Sequence, residues 1–265
     1  MSPTHPAFLF DLDGTLYTNH GPIVGAVATI AELRRRALPV RFVTNTTRTN
    51  RRAVITRMRS CGFTVHDDEL FTPAVAARDV LRQHGIHTVA PFVPTALLED
   101  LAGVELCGGT APQRCRETPG GVLIGDLGDE WTNELLNEAF RYAMDGATLV
   151  ALQKGRYFMG VAGLEVDAGA YVAALEYAVG AGALVCGKPS APFFDAVVGS
   201  LGPASPGTGR ERPAMVGDDL WNDVEGAQRA GLAGWLVRTG KFREDALAES
   251  GVVPDRIIDS VHEVI

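Results

Sequence analysis

Asp11 and Asp13 stand two residues apart directly behind the apolar run Ala7-Phe8-Leu9-Phe10, within Asp11-Leu12-Asp13-Gly14-Thr15. Side chains on a strand repeat every two residues, so both carboxylates are expected to leave the end of a buried strand on the same side. Like charges held so close repel and raise one pKa, and the pair persists only where a cation, a shared proton or a reaction uses it. Gly14 frees the backbone to turn, and Thr15 offers a hydroxyl there.

Three further clusters fall where a strand gives way to a helix, the edge at which open parallel sheets bind ligands. Thr44 and Asn45 follow the apolar run 40–43, so a hydroxyl, an amide and backbone N–H groups can face an anion. The same two residues would equally serve as a helix N-cap. Lys188 follows the run 183–185, and Pro189 keeps it extended and outside the next helix. Its ammonium can then reach across the sheet edge, the plain alternative being a solvated surface lysine. Gly217-Asp218-Asp219-Leu220-Trp221-Asn222-Asp223 follows Ala214-Met215-Val216, with Asp218 at the strand tip and Asp223 in the first turn of the next helix. Three acids in that short stretch, behind a second buried strand, call for a cation.

The chemistry implied is phosphoryl transfer. A phosphate dianion about 3.5 Å from a carboxylate is repelled by roughly 9 kcal/mol at an effective dielectric near 20, which a divalent ion and a lysine can offset. Oxygen-only ligands favour Mg²⁺ over zinc. Phosphate monoesters are among the slowest substrates to hydrolyse unaided, so charge neutralisation and in-line positioning carry most of the task.

These residues need strands that deliver them to one edge, and strand-like apolar runs alternate with helical patterns along nearly the whole chain. That alternation is the signature of a parallel α/β sheet covered by helices. Strands are expected at 40–43, 89–93, 122–124, 148–152, 183–185, 214–216 and 233–237. Val24, Val27, Ala28 and Ala31 recur at helical spacing and are expected to lay one apolar face on the sheet. Pro73 opens a helix running to about His84, Trp131, Leu135, Ala139, Phe140 and Ala143 mark another, and Ala168, Tyr171, Val172, Leu175, Ala178 and Val179 a third. Further helices are expected through 53–58, over 190–201 and after Asp218 to about Ala230, with loops at 101–120 and 202–212.

With 265 residues, the chain suits one large domain or two small ones. Its 24 basic and 32 acidic residues give a net charge of −8, which argues against nucleic acid and anionic membranes as partners. No apolar run approaches the roughly 18 residues of a membrane span, and the first six residues lack the features of a signal peptide, so a cytoplasmic location is expected. Cys61, Cys107, Cys115 and Cys186 have neither metal-site spacing nor a disulfide framework and are expected to be free thiols.

Taken in order, the four motifs resemble the haloacid dehalogenase superfamily of phosphohydrolases. The segment between Thr44 and Lys188 is similar to the α/β cap of the NagD-like (class IIA) subfamily. Gly155-Arg156-Tyr157, Gly163-Leu164, 174–178, Gly187-Lys188-Pro189 and Arg238-Thr239-Gly240-Lys241-Phe242 resemble the branch that contains phospholysine phosphohistidine inorganic pyrophosphate phosphatase. The resemblance implies a Rossmann-like parallel-sheet core, 1–75 and 181–265, with an inserted α/β cap of the C2 type, 76–180. It makes Asp11 the nucleophile that becomes an aspartyl phosphate and Asp13 the acid/base. Thr44, Asn45 and Lys188 would hold the phosphoryl oxygens, and the Asp11 carboxylate, Asp13 carbonyl and Asp218 would bind Mg²⁺. Asp223 and Asp219 would support them. Mammalian-type relatives in this branch carry Ser at the position of Asp13, so the general acid is a point of departure here. Gly125, Asp126, Gln153, Lys154, Arg156 and Tyr157 are the candidates for contacting substrate from the cap, with solvated strand-end charge the plain alternative for Lys154 and Arg156. The resemblance also brings a homodimer through the cap, for which no residue pattern here speaks.

The expected activity is that of a Mg²⁺-dependent phosphatase for a small phosphorylated metabolite, phosphoamide or pyrophosphate. The alternative is a non-catalytic phosphoacceptor module using the same Asp11. Carbon–halogen cleavage does not need the Mg²⁺ set, and no Schiff-base lysine is evident for phosphonate cleavage.

Overall fold

A computed structural model describes residues 7–160, 163–202 and 212–265. In chain order the elements are β1 (Phe8–Phe10), β2 (Tyr17–Thr18), β3 (Gly21–Pro22), α1 (Ala26–Arg35), β4 (Val40–Val43), α2 (Arg51–Ser60), β5 (Leu70–Phe71) and α3 (Pro73–Gln83). There follow β6 (Thr88–Phe92), β7 (Glu105–Leu106), β8 (Gly121–Ile124), α4 (Asn133–Met144), β9 (Thr148–Ala151), β10 (Tyr157–Met159), β11 (Leu164–Val166), α5 (Ala168–Val179) and β12 (Leu184–Val185). The chain closes with α6 (Ala191–Gly199), β13 (Ala214–Gly217), a π-type turn at Leu220–Glu225, α7 (Gly226–Arg229), β14 (Ala233–Val237), α8 (Glu244–Ser250) and β15 (Arg256–Ile258). No described helix is long and apolar enough to cross a membrane.

The chain forms two compact units. The first comprises 1–44, 54–71 and 188–265, the second 45–53 and 72–187. In the first unit, a six-stranded parallel sheet has the order β15-β14-β13-β1-β4-β5. β1 is central and covered on both faces, which is why Phe8, Leu9 and Phe10 form an unbroken apolar run with no exposed surface. The strand order departs from β1 in both directions, towards β4 on one side and β13 on the other. The switch point at the carboxyl end of β1 is therefore where loops from both halves of the sheet meet.

The second unit has its own five-stranded parallel sheet, β12-β9-β8-β6-β7, and an antiparallel hairpin of β10 and β11. Val89, Leu123 and Val150 pack on one face of the sheet, Phe92, Val122 and Leu149 on the other. Thr72 and Thr132 cap α3 and α4 by accepting from Val75 and Leu135 N–H groups.

Three expectations are corrected. α1 begins at Ala26 and buries Ala26, Thr29, Ile30 and Leu33, whereas Val24 is 89% exposed and Ala28 and Ala31 face solvent. Alanine is small enough for either face, so the larger Ile30 and Leu33 decide which one burial selects. Cys107 and Cys115 are joined in a disulfide, so only Cys61 and Cys186 are free thiols. Residues 108–114 loop back so that the two Cα atoms lie 4.7 Å apart, a tertiary proximity that spacing does not encode. Ala178, placed on the buried stripe of α5, is exposed. The N-terminal stretch 1–6 and, from 203 to 211, the loop expected over 202–212 lie outside the described residues. The short strands β5, β7, β10, β11 and β15 have too few residues to display a period.

Candidate active site

β1 ends at Phe10, one residue before Asp11. The chain then folds into a tight turn in which the Leu12 carbonyl accepts from Thr15, Leu16 and Tyr17 N–H groups, and Gly14, at φ 87°, donates its N–H to the Tyr17 carbonyl. Leu12 and Thr15 are wholly buried, so Thr15 presents its hydroxyl to the interior. The turn, and not a continued strand, carries Asp13. Its side chain is 52% exposed, in contrast to the buried Asp11.

Lys188 is 2% exposed and bridges two carboxylates, its Nζ lying 2.6 Å from Asp11 Oδ1 and 2.6 Å from Asp223 Oδ1. The reading of Lys188 as a solvated surface charge is thereby ruled out. Asp223 uses its other oxygen to accept the Asp219 N–H at 3.1 Å, and Gly217 leaves it room, since a Cβ there would sit 2.1 Å from Asp223 Oδ2. Asp219 caps the Leu220–Glu225 turn by accepting from Trp221 and Asn222 N–H groups.

Asp11, Asp218 and Asp223 are buried, with one ligand atom of each within 4.8 Å of the others. Burial and the Asp11 charge push the Asp218 carboxyl well above the ordinary range, and burial raises Asp223 to about 7 despite Lys188 beside it. Partial desolvation on its protein-facing side, with the Asp11 charge second, raises Asp13 to about 6, while Arg57 opposes the rise. Asp219 is held low because the Lys241 ammonium and the surrounding N–H donors outweigh its burial.

Lys241 has a place in this site that the sequence reading did not assign. Its backbone N–H donates to Asp218 Oδ2 at 2.7 Å and its Nζ to Asp219 Oδ2 at 3.1 Å. Thr239 Oγ1 donates to the Gly14 carbonyl at 2.5 Å, so the loop after β14 is tied to the turn after β1. The approach is close enough that a Cβ on Gly240 would fall 1.9 Å from Asp218 Oδ2, and one on Gly14 2.2 Å from it. The signal available in the sequence was the position of Lys241 behind an apolar strand, as for Lys188.

The donor set fits a divalent cation. Three buried carboxylates, Asp11, Asp218 and Asp223, share one buried ammonium, Lys188, in an oxygen-only cluster. The hard oxygen donors of such a set suit Mg²⁺.

Thr44 is buried at the end of β4, where its N–H donates to the Phe71 carbonyl at 3.2 Å. The N-cap reading of Thr44 and Asn45 fails, because α2 starts at Arg51 and Asn50 caps it by accepting from Ala53 N–H. Asn45 belongs to the second unit, against Gly187, whose Cβ would lie 2.6 Å from Asn45 Oδ1. In that unit, Asp126 at the end of β8 accepts Arg48 Nε at 2.5 Å and the Gly128 N–H, while its own N–H donates to Thr47. Gly125, just before it, packs against Val93, Leu152 and Thr47. Gln153 donates to Asp167 at 2.5 Å and accepts from the Gly155 N–H, and Lys154 pairs with Glu176 at 2.7 Å. Arg156 is exposed, and Tyr157 is half-buried on the hairpin.

Residues 8–107 match the family model for haloacid dehalogenase-like hydrolases, and 185–264 a HAD-hydrolase-like model. A rat protein, haloacid dehalogenase-like hydrolase domain-containing protein 2, is 37% identical over 237 residues, 89% of this chain and 85% of its own length. Human phospholysine phosphohistidine inorganic pyrophosphate phosphatase is 34% identical over 263 residues, 97% of this chain and 92% of its own. The solved structure of a Mycobacterium tuberculosis glycerol phosphate phosphatase in complex with magnesium superposes with a TM-score of 0.83 at 28% identity, over 100% of this chain and 78% of that one. With acids from β1 and β13 meeting at the switch point of a parallel sheet, and relatives of this identity over nearly their full length, the chain belongs to the haloacid dehalogenase-like hydrolase family.

Proposed function

We propose that this protein is a Mg²⁺-dependent phosphatase acting on a small phosphorylated metabolite, phosphoamide or pyrophosphate through an aspartyl phosphate on Asp11. The observation that carries the reading is the buried ammonium of Lys188 between Asp11 and Asp223 in a cluster that holds a third buried carboxyl, Asp218. A structural ion pair would be complete with one carboxylate and one lysine. An excess of buried carboxylates must take up protons or a further cation.

An Asp11 carboxylate oxygen attacks phosphorus, and the bond to the leaving oxygen breaks. Asp13, raised to about 6, gives its proton to that oxygen. Asp13 then takes a proton from water as the water oxygen attacks the phosphoryl group, releasing inorganic phosphate and restoring Asp11. Lys188 and Thr44, with Asn45 next along the chain, hold the phosphoryl oxygens. Mg²⁺ bound by the Asp11 carboxylate, the Asp13 carbonyl and Asp218 supplies neutralisation of the phosphoryl charge. Asp223, with both oxygens engaged, orients Lys188. Asp126, Gln153, Lys154, Arg156 and Tyr157, all in the second unit, 45–53 and 72–187, are the candidates for specificity.

The test is phosphate release from p-nitrophenyl phosphate and a metabolite panel, with and without Mg²⁺, for the wild type and Asp11→Asn. Turnover that needs Mg²⁺ and is lost in Asp11→Asn is expected. Equal activity in the variant, or a long-lived phosphoprotein without turnover, would overturn the reading.

A further inference from the structure

The strongest unassigned feature near the site is Arg57, on the face of α2 that meets the turn after β1. Its guanidinium lies over the Tyr17 ring, with the central carbon 4.4 Å from the centroid. One terminal nitrogen donates to the Thr18 carbonyl at 3.1 Å and to Asn19 Oδ1 at 3.3 Å. The other lies 3.6 Å from Asp13 Oδ1. Tyr17, the platform, is 2% exposed and is bridged through its backbone to Asp13. A planar guanidinium held by a ring and two oxygens has few conformations left, so the nitrogen facing Asp13 is fixed in direction. The surroundings of Asp13 leave its orientation otherwise loose, since half of that side chain is open to solvent.

We infer that Arg57 is a positioning residue for the known reaction class, aiming the Asp13 carboxyl at the leaving oxygen. The inference rests on the reading of Asp13 as general acid. Arg57 touches no reacting atom. It acts by reducing the number of directions in which Asp13 can point, and the benefit is confined to the step in which Asp13 donates its proton. An ester whose leaving group departs readily as an anion, such as p-nitrophenyl phosphate, gains little from that step. An alkyl phosphate depends on it.

The experiment measures kcat/KM over a series of aryl and alkyl phosphates for the wild type, Asp13→Asn, Arg57→Gln and Arg57→Lys, with thermal melts to confirm that each folds. Arg57→Gln is expected to lose about ten-fold on alkyl phosphates and under about two-fold on p-nitrophenyl phosphate, steepening the leaving-group dependence as Asp13→Asn does more strongly. Arg57→Lys, with charge but no fork, should fall between. A steep dependence in Asp13→Asn with none in Arg57→Gln, or an equal loss on every ester, overturns the role of Arg57. No leaving-group dependence in Asp13→Asn overturns the general acid itself, and the inference with it.

Discussion

Replacing Lys188 by Met removes the only ammonium within 2.6 Å of Asp11 and Asp223 among the described residues, while nearly conserving volume. Breaking a buried ion pair by deleting one partner costs about 3–5 kcal/mol, because a charge is left uncompensated. The orphaned carboxylate can escape by binding a proton, and that sets a ceiling. Keeping one carboxylate protonated costs about 1.4 kcal/mol per pH unit above its unfolded value near 3.9, roughly 6 kcal/mol near pH 8 but only about 2 near pH 5.5. A carboxyl raised on folding weakens the fold as pH rises and is relieved as pH falls, so the penalty of Lys188→Met must shrink on acidification. Urea unfolding in EDTA is expected to show a loss of about 3–5 kcal/mol near pH 8, falling to about 1–2 kcal/mol near pH 5.5. A loss under about 1 kcal/mol near pH 8, or one that grows towards acid, would refute the account of Lys188 as the internal counter-ion.

Two further outcomes follow from the same cluster. Because Asp218 and Asp223 are raised in the absence of a cation, Mg²⁺ must displace protons on binding, and its affinity should fall as pH drops through about 7. Calorimetry in buffers of different ionisation enthalpy measures the release, and affinity unchanged between about pH 6 and pH 8 would contradict it. Gly240→Ala places a Cβ 1.9 Å from Asp218 Oδ2, whereas Gly251→Ala, at a similar φ of 72°, meets nothing within 4 Å. The second variant isolates backbone strain of about 1–2 kcal/mol, and the first should add at least about a ten-fold loss of Mg²⁺ affinity. Equal Mg²⁺ binding in the two would sink the argument.

Local pattern was enough for the α/β class, the principal strands and the residues that end them, because a buried parallel strand must be a continuous apolar run and the residue after it reaches the sheet edge. Asp11, Thr44 and Asp218 were legible on that ground, whereas the strand before Lys188, β12, belongs to the other sheet. What tertiary structure alone decided are the pairings between residues far apart in the chain. Lys188 meets Asp11 across 177 positions, and Thr239 meets Gly14 across 225. Arg57, on an ordinary basic helix, acquires a place only when α2 packs beside the turn after β1. The buried face of α1 followed the bulk of Ile30 and Leu33, and the Cys107–Cys115 bond followed the path of a loop. Hydrophobic period and turn chemistry are local and leave their mark on neighbouring residues, whereas charge compensation in a buried site is satisfied in space and leaves no spacing to read.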